Sequence, residues 1–120
     1  MDKVRENHVN MLTEHDIQNI VRKIVTVYKP EKIFIFGSYA NGTAGKNSDL
    51  DILIIKRTDE NFFNRIRKVR KLLQPQPVAL DILVYTPEEF EQKKNWVNHI
   101  LYIVNKQGKL VYERKHKKLA

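Results

Sequence analysis

At 120 residues and 42% hydrophobic content, the chain suits one compact domain over residues 1–120 with a modest core, and leaves little room for a separate substrate domain. It has no cysteine, which excludes disulfides and thiolate metal sites; its polar start, MDKVRENHVN, is unlike a signal sequence and no apolar run nears the length of a membrane span. A cytoplasmic, membrane-free protein is expected, and the net charge of +8 invites a polyanionic partner.

The first twelve residues lack a clear period and read as a loose arm. Thr13 followed by Asp16 can cap a helix. Ile17, Ile20, Val21, Ile24, Val27 and Tyr28 then recur at helical spacing, predicting a helix over residues 14–28 that ends before Pro30.

Ile33 to Phe36 is a short apolar run that stops at Gly37 and Ser38, which predicts a strand feeding a tight turn. Glycine permits close approach of backbone to a ligand. A helical turn starting at Ser38 would add free N–H groups and a hydroxyl, a combination suited to a polyphosphate. Asp49-Leu50-Asp51 follows and runs into Ile52 to Ile55. On a strand, Asp49 and Asp51 would share a face, about 7 Å apart at the backbone. Two such carboxylates repel each other unless a cation lies between them, and Mg²⁺ is usually held by one or two carboxylates plus the phosphates of a nucleotide.

The segment from Thr58 to Asn61 predicts a turn, and residues 61–73 a basic amphipathic helix. Phe62, Phe63, Ile66, Val69 and Leu73 would form its apolar face, with Arg65, Arg67, Lys68, Arg70 and Lys71 on the solvated one. Gln74-Pro75-Gln76-Pro77 cannot continue the helix. Val78 to Tyr85 predicts a strand with one charge, Asp81, at its middle. An aspartate there is costly unless paired or metal-bound, the alternative being a strand with one face in water. Thr86-Pro87-Glu88-Glu89 signals a helix start with a capping box. A further helix is expected over residues 95–104, with Trp96, Ile100 and Ile103 on one side and Val97, Leu101 and Val104 beside it. This broad apolar surface is assigned to the core, with a partner-binding face as the alternative. Leu110 to Tyr112 reads as a last strand, and residues 113–120 as a loose basic tail carrying Arg114, Lys115, His116, Lys117 and Lys118.

His8, His15, His99 and His116 form no pair with metal-ligand spacing, and GTAGKNS lacks the first glycine and the spacing of a Walker loop. The Gly-Ser turn, the D-x-D pair and the later strand with a lone aspartate together resemble the nucleotidyltransferase superfamily that includes DNA polymerase beta and the kanamycin nucleotidyltransferases. The resemblance is nearer still to the minimal nucleotidyltransferase (MNT) proteins, including the antitoxins paired with HEPN toxins, and it runs from about Asp16 to Tyr112.

That resemblance implies an α/β (α+β) fold with a small mixed sheet. It implies that Gly37 and Ser38 hold the β- and γ-phosphates of ATP, that Asp49 and Asp51 bind two Mg²⁺ ions, and that Asp81 completes one ion's shell. Tyr39 departs from the pattern, because many relatives carry arginine directly after the Gly-Ser pair; Lys46 is the candidate replacement cation. The implied activity is transfer of AMP to a partner protein, a HEPN toxin modified on tyrosine. Two other classes stay open: a binding module that neutralises its partner by covering it, and an RNA-binding or RNA-modifying protein suggested by charge alone.

Overall fold

The computed structural model describes residues 11–75 and 79–115. In chain order its elements are α1 (Glu14–Tyr28), β1 (Lys32–Phe36), α2 (Ser38–Asn41), β2 (Leu50–Ile55), α3 (Phe62–Leu72), β3 (Leu80–Tyr85), α4 (Pro87–Lys93), α5 (Ile100–Gln107) and β4 (Lys109–Glu113).

The strands form one mixed sheet in the order β3-β2-β1-β4. β1 runs antiparallel to both β2 and β4, while β2 and β3 are parallel, joined by the crossover helix α3. Strand alternation divides the core in two. On one face Ile33, Ile35, Ile52, Ile54, Ile82 and Val84 pack against Ile20 and Ile24 of α1 and Val69 of α3. On the other, Phe34, Phe36, Leu53 and Ile55 pack against Phe90 of α4 and Leu101 and Val104 of α5. Each fully buried aliphatic side chain contributes about 1.5–3 kcal/mol, so β1 and β2, buried on both faces, anchor the fold.

The helix ends follow local chemistry. Thr13 caps α1 in a reciprocal box with Asp16, and Lys29 ends it in the left-handed conformation. Thr86 and Glu89 form the same box at α4, with Pro87 in the first turn.

Several sequence-based expectations are corrected. The last helix does not span residues 95–104: His99 Nδ1 accepts the Leu101 N–H at 3.0 Å and starts α5 at Ile100. Trp96 and Val97 therefore lie outside the helix, 54% and 67% exposed, and Ile103 is exposed too; of the expected apolar surface, Leu101 and Val104 are buried in the core and Ile100 packs against it. Phe63 is 70% exposed, because α3 meets the sheet through Ile66 and Val69.

Arg65 is not solvated but buried. Its Nη1 is 2.9 Å from Glu89 Oε1 and 3.3 Å from the Val84 carbonyl, and its Nε donates to the Glu60 carbonyl at 2.9 Å, tying α3, β3 and α4 together. Residue 113 belongs to β4 rather than to a loose tail, and Arg114 donates its N–H to the Glu31 carbonyl at 2.8 Å. At the other end the Leu12 N–H donates to the Tyr39 hydroxyl at 3.0 Å, so Leu12 is tied to the fold and not part of a loose arm. The remainder of the expected arm (residues 1–10), Gln76, Pro77 and Val78 of the connector and third strand, and His116, Lys117 and Lys118 of the tail lie outside the described residues.

Candidate active site

The site forms where the end of β1 meets the starts of β2 and β3. Antiparallel pairing sets Phe36 opposite Asp51, and parallel pairing sets Asp51 opposite Asp81. Neighbouring strands lie about 4.8 Å apart, so the two carboxylates project side by side on the face that also carries Leu53 and Leu83.

Gly37 follows Phe36 with φ 73° and ψ −150°, a conformation essentially restricted to glycine. It stands against Asp51: a Cβ built on Gly37 would fall 2.2 Å from Asp51 Oδ2. Ser38 opens the four-residue helix α2, whose Ala40 and Asn41 N–H groups both return to the Gly37 carbonyl. The loop beyond is organised by its own side chains. Asn41 Oδ1 accepts the Thr43 N–H and hydroxyl at 3.2 and 2.6 Å, and Ser48 Oγ accepts the Gly45 N–H at 2.8 Å. These contacts steer the chain from α2 back to Asp49; the Asn-x-Thr and Gly-x-x-Ser patterns carrying them are turn signals present in the sequence.

Asp49 does not lie on β2 as expected. It is exposed, one residue before the strand, yet its charge reaches Asp51. Burial, then the negative charges of Asp81 and Asp49, and a hydrogen bond with Asp81, push the Asp51 carboxyl up to about 6. Such a group is held reluctantly as an anion, and a cation beside it would relieve all of these effects together. The donors are oxygen-only, as a hard divalent ion requires. Among the described residues, no three carboxylate or histidine groups already stand close enough together to cage a metal ion. Mg²⁺ asks for less, one or two carboxylates with waters and substrate phosphates completing its shell, and the Asp51–Asp81 pair flanked by Asp49 fits that demand.

Of the other expected residues, Lys46 sits exposed on the turn between Gly45 and Ser48, with no hydrogen bond or ion pair among the described residues tying it to the carboxylates. Tyr39 is half-buried, its ring against the α1 side of the core and its hydroxyl engaged by Leu12, so this position serves packing.

A mixed sheet that aligns two aspartates on neighbouring strands beside a glycine-serine turn defines a nucleotidyltransferase fold. Residues 17–103 match the family model described as nucleotidyltransferase domain, and the chain belongs to that family. A curated relative from Methanocaldococcus jannaschii, named "Putative protein adenylyltransferase MJ0604", is 34% identical over 104 residues, which cover 85% of this chain and all of that one. Among solved structures, a "putative nucleotidyltransferase from Sulfolobus solfataricus" superposes with a TM-score of 0.58 at 24% identity, covering 82% of this chain and 78% of the other. A toxin-antitoxin structure with AMP-PNP superposes with a TM-score of 0.56 at 24% identity, covering 87% of this chain and 76% of that chain.

Proposed function

We propose that the chain is a cytoplasmic Mg²⁺-dependent adenylyltransferase that moves AMP from ATP to a hydroxyl of a partner protein, a HEPN-type toxin modified on tyrosine. The observation that carries this reading is the alignment of Asp51 with Asp81 against Gly37, with the Asp51 carboxyl pushed up to about 6. The M. jannaschii relative, named for protein adenylylation and matched over its whole length, supports a protein acceptor. A toxin-antitoxin structural neighbour holding AMP-PNP supports ATP and a toxin partner.

In this mechanism Gly37 admits the triphosphate to within backbone distance, and Ser38 donates its hydroxyl to a phosphate oxygen. Asp49, Asp51 and Asp81 would hold two Mg²⁺ ions, which when bound neutralise phosphate charge and acidify the acceptor hydroxyl. The acceptor oxygen attacks the α-phosphorus in line, the bond to the β-phosphate oxygen breaks, pyrophosphate leaves and the hydroxyl proton passes to solvent. Positioning and charge neutralisation carry the rate, with no covalent enzyme intermediate.

The test is the intact mass of the protein encoded beside this gene after incubation with this chain and Mg-ATP. A gain of one or more AMP units, absent with Asp49→Ala/Asp51→Ala, is the expected result. A stable complex with no gain in mass would replace the transferase with a neutralising binding module, the reading that the engaged Tyr39 favours.

A further inference from the structure

At the far end of β2 from Asp51, on the opposite face of the sheet, the last turn of α1 and the C-terminal half of α3 enclose a cavity of about 570 Å³, lined by Val27, Tyr28, Lys56, Lys68, Lys71 and Leu72. A second, of about 280 Å³, adjoins it along α3, shares Lys68 and Lys71, and adds Glu60, Asn64 and Arg67. Together they form a groove with four cations, Lys56, Lys68, Lys71 and Arg67, and one carboxylate, Glu60.

The floor is apolar and aromatic. Lys56 Nζ lies 5.1 Å from the centre of the Tyr28 ring and 3.3 Å from the Lys29 carbonyl, while Lys68 Nζ is paired with Glu60 at 2.7 Å. A cation in the last turn of a helix offsets the dipole there, which accounts for Lys71 taken alone. Lys56, which follows a strand, stands against the Lys29 carbonyl at the end of α1 and faces the same cavity.

We infer that this groove binds the sugar-phosphate backbone of a single-stranded nucleic acid. Arg67 and Lys71 repeat along α3 one turn apart, about 6 Å, so the cations are spaced for a repeating anion rather than for one phosphate. Val27, Tyr28 and Leu72 offer an apolar seat for a sugar or base between them. The site is separate from the carboxylates: Lys56 follows Asp51 by five residues, about 17 Å along an extended strand, and its side chain belongs to the other face. The inference therefore stands whether or not the chain transfers AMP to a protein.

The test is fluorescence anisotropy of the full chain with a labelled single-stranded RNA of about twelve nucleotides, titrated as salt rises from about 50 to about 200 mM. Affinity should fall with a log–log slope of about −2, the value for three neutralised phosphates on a single strand. Lys56→Glu/Lys71→Glu should weaken binding about tenfold or more and flatten that slope, whereas Lys93→Glu/Lys94→Glu, an equal charge change outside the groove, should stay within about twofold. Should the reversed pair impair folding, Lys56→Gln/Lys71→Gln should still weaken binding and flatten the slope while keeping the native circular dichroism. Equal losses in the groove and control variants would reduce the effect to net charge and overturn the inference. So would the absence of salt-dependent RNA binding, or competition by AMP as strong as by the unlabelled strand, which would make the groove a mononucleotide pocket.

Discussion

Gly37 and Asp51 stand so close that a methyl group on the glycine would overlap the carboxylate, 2.2 Å from Oδ2. Backbone and carboxylate are thereby held together at the one place where β1 turns into α2, and the turn at positive φ exists to allow it. The residue that bends the chain and the acid that would hold a metal thus form one unit.

Replacing Gly37 with alanine strains the backbone and pushes Asp51 aside. The expected cost is about 1–3 kcal/mol from the φ/ψ region alone, read by chemical denaturation. Transfer of AMP should fall by about a hundredfold or more in the molecules that still fold, because a displacement near 1 Å at a reacting centre costs that much.

Asp51 sets a pH dependence whose sign is opposite to that of an ion-paired carboxylate. Its folded pKa, about 6, lies above the ordinary value of 3.8, so ionising it works against the fold. In metal-free buffer the penalty is absent below the ordinary value, grows as pH rises towards 6, and is complete above it. The melting temperature of the native chain minus that of Asp51→Asn should therefore decline from pH 4 to about pH 7. Adding Mg²⁺ at neutral pH should raise the melting temperature of the native chain and leave Asp51→Asn nearly unchanged.

Arg65→Ala should be among the most destabilising changes to a charged residue in this chain. It leaves Glu89 without its partner and the Val84 carbonyl without its donor, a loss of about 3 kcal/mol, at the low end for a broken buried pair because Glu89 is partly exposed. Burial pushes the Glu89 carboxyl up, but hydrogen bonds from Arg65 and the Thr86 N–H and the charge of Arg65 more than offset it, holding the group below its usual range. Its contribution is present above the ordinary carboxylate value and lost as pH falls through the lowered one. The stability difference between the native chain and Arg65→Ala, measured in urea, should accordingly shrink in acid.

Much of this architecture is written locally. Thr13 with Asp16, and Thr86 with Pro87 and Glu89, mark helix starts because caps act within four residues, and both boxes form in the structure. The strands at Ile33, Leu50 and Leu80 announce themselves as apolar runs, and the Gly-Ser turn and three aspartates are legible as residue types at a spacing. The mixed sheet implied by the family resemblance is the one that forms.

What the tertiary structure alone decided are the relations between distant residues. Strand register, a long-range property, placed Asp81 beside Asp51 and left Asp49 one residue outside the strand. Arg65 reads as one cation among five on a basic helix; only the packing of α4 against β3 supplies the Glu89 partner that makes its burial tolerable. The run from Trp96 to Val104 has helical spacing throughout, but His99 competes for the Leu101 N–H and splits it, leaving Trp96 and Val97 in water. Periodicity and capping determined which segments are helix or strand. Which side chains meet was settled by how those segments pack, since burial and pairing depend on neighbours far away in the chain.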